Sequence, residues 1–190
     1  LSEFSAQTTF FSFNEEFPCQ NHQTRTLAPG ETRNALIESG RLSRGQSKSI
    51  EDLNPDDFDA LVVPGGAGVL KNLTTQNTDG DKFKVHATLE KIILKFHQQS
   101  KPIGAICIAP VVVAQVLKKY KPLITLGETS DIIPRLEKMN IQHEKCPSTD
   151  YITDRDCKLL TTPAYMNENV TPHSIYTGIR LMIKELVEMA

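Results

Sequence analysis

Apolar positions along the chain fall into short runs and into longer stretches at helical spacing, and the two kinds alternate. Residues 7–13 (Gln-Thr-Thr-Phe-Phe-Ser-Phe) are rich in aromatic and β-branched types and predict a strand. Polar residues follow as far as Pro29-Gly30, which predicts a punctuated loop. Residues 31–44 predict a helix with Ala35, Leu36 and Leu42 on its apolar face, stopped by Gly45. Asn54-Pro55-Asp56-Asp57 marks a turn, and residues 58–63 form a near-continuous apolar run, the signature of a parallel strand buried on both faces. Pro64-Gly65-Gly66-Ala67-Gly68 ends that strand abruptly.

The second half of the chain repeats this alternation. Residues 74–81 predict a polar loop and residues 82–99 a long helix carrying Phe83, Leu89, Ile92, Ile93 and Phe96. Lys101-Pro102-Ile103-Gly104-Ala105-Ile106-Cys107-Ile108-Ala109-Pro110 predicts a short buried strand, a tight turn carrying a cysteine, and the start of another helix. A strand at 122–126 and a helix at 130–139 follow. Residues 151–153 and 158–161 flank Asp154-Arg155-Asp156 and predict a hairpin. Thr171-Pro172, a cap residue before Pro at the first helical position, opens a last helix with the stripe Ile175, Ile179, Met182, Ile183 and Leu186. Strands alternating with helices predict an α/β fold with a mostly parallel sheet. With no internal repeat and no linker, the expectation is one domain over residues 1–190.

Composition narrows the function classes. The chain has 190 residues, 39% hydrophobic and 23% charged, the balance of an ordinary globular domain. A net charge of −2 gives no reason to propose nucleic acid or an anionic membrane as partner. No apolar run has the length of a bilayer span. The four cysteines, Cys19, Cys107, Cys146 and Cys157, form no C-x-x-C pair, and the five histidines are scattered, so neither zinc spacing nor a disulfide scaffold is indicated. This cysteine usage fits a reducing compartment, and the expected location is cytoplasmic, or mitochondrial if a targeting segment precedes Leu1.

Candidate chemistry gathers beyond the carboxyl ends of the strands, where open α/β sheets place their sites. Cys107, on a strand-to-helix turn, lies at the positive end of a helix dipole beside N–H groups that lack intrahelical partners. That placement suits a reactive thiol, while a buried structural cysteine explains the same segment equally well. The glycine turn after residue 63 either brings backbone donors close to a ligand or serves packing alone. It is neither a dinucleotide fingerprint nor a phosphate loop, because G-x-G-x-x-G and G-K-[ST] are both absent. Lys71 and Asn72 follow the turn as a source of positive charge or as a solvated surface pair. Thr161-Thr162-Pro163-Ala164-Tyr165-Met166 supplies a third wall. His97, the histidine nearest Cys107 in sequence, is expected at the opposite edge of the sheet.

Taken together, Glu31-Thr32-Arg33-Asn34, Leu42-Ser43-Arg44-Gly45, Asp59-Ala60-Leu61-Val62-Val63-Pro64-Gly65-Gly66, Lys71-Asn72-Leu73, Lys101-Pro102-Ile103-Gly104, Cys107-Ile108-Ala109-Pro110 and Thr161-Thr162-Pro163-Ala164-Tyr165-Met166 resemble the PfpI superfamily in order and spacing. The likeness is greatest to the ElbB-like isoprenoid-biosynthesis glyoxalases. It implies a flavodoxin-like, doubly wound, mostly parallel sheet of the class I glutamine amidotransferase-like type. It also implies a strained nucleophile elbow at Cys107, an anion pocket with backbone contributions from Gly65, Gly66 and Ile108, and Lys71, Asn72, Thr162 and Pro163 as possible pocket wall. A homodimer and a small dicarbonyl substrate follow from the same resemblance, with no cofactor and no metal.

The chain departs from that pattern in three respects. It begins after the family's first strand, glycine-rich loop and helix, so the acidic residue that hydrogen-bonds the family's cysteine has no counterpart, and Glu31 lies too far along to replace it. An interior strand left out of a sheet would unpair buried backbone groups. The expectation is therefore either an N-terminal segment before Leu1 or an impaired product. Ala67 stands where the family carries an aromatic, and no histidine occupies the amidotransferase positions, residue 108 being Ile. The expected activity is a weak, cysteine-dependent glyoxalase; the alternative is a non-catalytic binding or redox-sensing protein, since elbow thiols oxidise readily.

Overall fold

The computed structural model describes residues 1–21, 23–24 and 26–190. The chain forms two compact units, one of Ser2 and Gln7–Asn54, the other of Leu1, Glu3–Ala6 and Pro55–Ala190.

In the smaller unit β1 (Phe10–Ser12) is shorter than the predicted strand. The polar stretch predicted as a loop instead forms an antiparallel hairpin of β2 (Glu16–Gln20) and β3 (Leu27–Asn34), its register broken between Pro18 and Gln20. The helix predicted over 31–44 is reduced to α1 (Ala35–Leu42), because residues 31–34 extend β3. Asn34 sets the helix start: its side-chain oxygen accepts the Leu36 and Ile37 N–H groups at 3.0 and 3.2 Å. Leu42, predicted on the apolar face, is 91% exposed. β4 (Ser47–Ser49) runs parallel to β1, with Phe10 opposite Ser47.

The larger unit carries the chemistry. Its elements are β5 (Leu61–Val63), α2 (Ala67–Asn72), α3 (Gln76–Asp79), α4 (Ala87–Gln98), β6 (Ile103–Ile106), α5 (Ala109–Leu117), β7 (Leu123–Ile124), α6 (Ile133–Leu136), β8 (Gln142–His143), β9 (Ile152–Asp154), β10 (Leu159–Thr162) and α7 (Pro172–Met189). The sheet order is β5-β6-β10-β9. β6 is parallel to both neighbours, with Ile103 opposite Leu61 on one side and Leu159 on the other. β9 and β10 form the predicted hairpin, and β7 pairs with β8 in a separate parallel ladder. β5 lies at one end of the sheet with Leu61 and Val62 only half-buried, so the reading of a strand buried on both faces fits β6 and not β5.

The helices follow from local signals. α4 starts five residues later than predicted, where the His86 imidazole Nδ1 accepts the Thr88 N–H at 3.3 Å; Phe83 is buried but precedes the helix. Thr171 and Ser174 cap α7 reciprocally, and Pro172 occupies its first turn. Met182, Ile183 and Leu186 of the α7 stripe pack with Leu160 of β10 into one core cluster. Full burial of side chains this size stabilises by about 1.5–3 kcal/mol each, so α7 fixes β10 and the turn that follows it. Among the described residues no helix is long and apolar enough to cross a membrane.

Candidate active site

Because β6 lies between two parallel neighbours, the loops that leave three strands converge at its carboxyl end: the glycine turn after β5, Cys107 after β6, and Pro163 after β10. Cys107 adopts φ +63°, the left-handed region, in the single residue between β6 and Ile108, which caps α5. For a residue other than glycine this conformation costs on the order of 1–3 kcal/mol and persists only where the surroundings over-determine it. One constraint is the Cys107 N–H, which donates to the Thr162 carbonyl at 2.9 Å. The other is Gly65. A β-carbon there would lie 2.5 Å from the Cys107 β-carbon, 2.6 Å from the Ile106 carbonyl oxygen and 3.4 Å from the Cys107 sulfur. The thiol is half-buried, whereas Cys19, Cys146 and Cys157 are buried.

The two glycines act differently. Gly66 needs the freedom predicted for the pair, with φ +113°, and nothing occupies the space beside it. Gly65 has no such φ and is required by close approach instead. Among the described residues the N–H groups of Gly65, Gly66 and Ile108 make no backbone hydrogen bond, while the Cys107 N–H is committed to Thr162. The elbow's own amide is thus used to hold its shape, and the donors left over belong to its neighbours.

The remaining predicted residues divide. Pro163 is buried directly after β10. Thr162 is 0% exposed and its hydroxyl donates to the Asp150 carbonyl at 2.9 Å, so it contributes a carbonyl to the elbow and no free hydroxyl to a pocket. Lys71 and Asn72 are exposed on the last turn of α2, and none of the described hydrogen bonds joins either to Cys107. His97 is where expected, at the far end of the sheet: its ring lies 3.4 Å from the Cys157 carbonyl, before β10, and packs on Tyr120. His86 and His143 are likewise engaged elsewhere, as a helix cap and as acceptor of the Leu126 N–H.

Sequence reasoning missed the residues that brace the elbow. Asn167, 9% exposed, accepts the Glu128 N–H at 2.7 Å and donates to the Cys146 carbonyl at 3.0 Å and the Ser148 hydroxyl at 3.1 Å. Ser148 donates in turn to the Ala164 carbonyl at 2.9 Å. An asparagine one turn past a strand carries no distinctive signal; the clue available was Gly127, whose φ of +90° and missing side chain leave room for the Asn167 amide.

Comparison with known proteins matches residues 21–121 to the DJ-1/PfpI family. The human glutamine amidotransferase-like class 1 domain-containing protein 3, mitochondrial, is 33% identical over 89% of the chain. The chain spans 65% of that relative's length. The Deglycase PfpI of Pyrococcus furiosus is 30% identical over 45% of the chain and 46% of its own length. Among solved structures, an isoprenoid biosynthesis protein with amidotransferase-like domain from Ehrlichia chaffeensis superposes with a TM-score of 0.89 at 32% identity, over 99% of this chain and 85% of that one.

Proposed function

The chain belongs to the DJ-1/PfpI family, and on that footing we propose that it is an ElbB-like member whose Cys107 acts on small dicarbonyls in a glyoxalase-type reaction. The observation that carries the reading is the left-handed Cys107 at the carboxyl end of the central strand, pressed against Gly65. In the reaction the Cys107 sulfur bonds to one aldehyde carbon of glyoxal, and the carbonyl oxygen takes up a proton to give a hemithioacetal. The hydrogen on that carbon leaves as a proton, and a proton returns to the second carbon, so the first becomes a thioester carbonyl and the second a carbinol. Water then cleaves the carbon–sulfur bond, releasing glycolate and regenerating the thiol. The sum is glyoxal plus water to glycolate, an internal redox change that needs no external oxidant or reductant.

Backbone N–H groups of Gly65, Gly66 and Ile108 are the donors available to the oxyanion. Proton transfer is slow in this reading. Among the described residues the imidazoles of His86, His97 and His143 are engaged elsewhere and His173 is exposed in the first turn of α7, and a positioned acid or base is typically worth about 10²–10⁴-fold. A homodimer belongs to the same proposal. The human relative's name favours a mitochondrial over a cytoplasmic location.

The test is formation of glycolate from glyoxal, or lactate from methylglyoxal, with Cys107→Ser as control. Turnover lost in the control supports the reading; equal turnover in both removes the thiol from it. A second reading, reversible oxidation of Cys107 without turnover, draws on the half-exposed thiol and the engaged histidines. It predicts a sulfenic acid trapped by dimedone in a protein that forms no hydroxy acid.

A further inference from the structure

We propose that Asn167 is a positioning residue for Cys107: it clamps the turn after β10 so that the Thr162 carbonyl holds the Cys107 amide in the left-handed conformation. The inference deepens the reading of Cys107 as the reactive centre and rests on it.

The path runs through hydrogen bonds and the short stretches of backbone between them. The turn from Thr162 to Asn167 is tied to the segment from Cys146 to Asp150 at three levels. The Thr162 hydroxyl donates to the Asp150 carbonyl, the Ser148 hydroxyl to the Ala164 carbonyl, and the Asn167 amide to both Ser148 and the Cys146 carbonyl. Ala164 is itself left-handed, at φ +46°, and needs such bracing as Cys107 does. On its other side Asn167 reaches the loop after β7 through the Glu128 N–H.

That loop is organised unusually. Four consecutive backbone N–H groups are held by side chains: Thr125 by the Thr161 hydroxyl at 2.9 Å, Leu126 by His143 at 3.1 Å, Gly127 by the Thr125 hydroxyl at 3.0 Å, and Glu128 by Asn167 at 2.7 Å. Two of the four acceptors, Thr161 and Asn167, belong to the stretch that also carries Thr162. Asn167 uses its oxygen toward one loop and its nitrogen toward the other, a division that an aspartate or an alanine cannot reproduce. Gly127 is what admits it: a β-carbon there would fall 2.1 Å from the Asn167 side-chain oxygen. The clamp therefore joins both loops flanking the elbow's strand partner, and its output at Cys107 is the 2.9 Å bond to Thr162.

Residue-resolved amide hydrogen exchange on the full chain tests this without reference to turnover. In Asn167→Ala, the Glu128 and Cys107 amides should exchange faster by about tenfold or more, while Ile93, in the core of α4, keeps its protection. Asn167→Asp retains the acceptor and loses the donor, so Glu128 should stay protected while Cys107 does not. If the alanine variant fails to fold, Ser148→Ala, which cuts the middle of the same path, should speed Cys107 exchange in the same sense. Unchanged Cys107 exchange in a folded variant overturns the proposal, as does uniform acceleration that includes Ile93. Where glyoxal turnover is present, kcat should fall in Asn167→Asp with KM retained; absence of turnover in the parent protein sinks the glyoxalase reading and leaves the exchange result standing.

Discussion

Gly65 and Cys107 meet so closely that a β-carbon on the glycine would stand 2.5 Å from the β-carbon of the cysteine. Both obstacles around it are rigid, the second being the Ile106 carbonyl oxygen at 2.6 Å. Gly65→Ala must therefore displace either the glycine turn or the elbow, and overpacking of this kind costs about 1–3 kcal/mol. We expect the urea midpoint to fall accordingly and Cys107 alkylation to change with it. Gly66→Ala separates strain from clash: its new methyl group meets open space, so it carries only the conformational cost of φ +113°, on the order of 1–3 kcal/mol, and should lower the midpoint while leaving Cys107 alkylation unchanged. A Gly65→Ala protein as stable as the parent would show that the two loops are not packed against each other.

The strand, cysteine and helix of the elbow were legible because burial leaves them little choice of residue. β6 is apolar throughout, and Pro110 falls in the first turn of α5. The β9–β10 hairpin and the start of α7 were legible for similar reasons, through turn and cap residues with specific backbone demands. The β2–β3 hairpin was not. Its residues are mostly exposed and it contains Pro18 and Pro29-Gly30, which punctuate loops more often than strands. The helix predicted over 31–44 begins too early because residues 31–33 carry no pattern that opposes a helix, while the observed start obeys the Asn34 cap. In the site, Cys107 and the glycines stand out by type and spacing, whereas Asn167 and Ser148 act through partners 16 or more residues away, which no local pattern encodes.

Cys107 should be the cysteine that reacts. It is the half-buried one of the four, while burial pushes the Cys146 and Cys157 thiols up to about 12, with nearby carboxylates adding to the effect. Both are thus uncharged at neutral pH, and the thiolate is the nucleophile. Limited iodoacetamide treatment of the native protein followed by peptide mapping should give one modified site, at Cys107. Comparable labelling at Cys146 or Cys157 before unfolding would contradict the burial seen for them.

Stability should fall as the medium is acidified through the histidine range, and His143 should be responsible. Burial, aided by the charge of Lys145 and opposed by that of Glu144, holds its pKa below the ordinary 6.5. The folded state therefore binds fewer protons here than the unfolded state, and stability rises with pH across this window. Read downward, the contribution is complete above about 6.5 and is lost as pH drops toward the lowered folded value. Protonation also removes the acceptor of the Leu126 N–H. Urea midpoints between pH 7.5 and 5 should decline in the parent and decline less in His143→Gln. Asp56 and Glu3, held below the usual carboxylate range chiefly by hydrogen bonds from Gln99 and Arg180, titrate further down and do not mimic this change.

Gly178 offers a second route to the elbow, through the 148–150 segment. It sits in α7, where a β-carbon would come within 2.4 Å of the Ser148 carbonyl oxygen and about 3 Å of the Asp150 backbone. The 148–150 segment is what braces the turn after β10, through Ser148 to Ala164 and Asp150 to Thr162. In a helix interior, alanine is intrinsically better than glycine by about 1 kcal/mol, so Gly178→Ala sets helix preference against a backbone clash. A clash with main chain cannot be relieved by a rotamer change, and overpacking costs about 1–3 kcal/mol; the clash should win. The expected result is a lower urea midpoint together with faster exchange of the Cys107 amide, while Gly40→Ala in α1, where a new methyl group meets nothing within 4 Å, should be neutral or stabilising. A Gly178→Ala protein that gains stability would show that α7 does not press on the 148–150 segment, and the hydrogen bonds from that segment to Ala164 and Thr162 would then brace the elbow without help from α7.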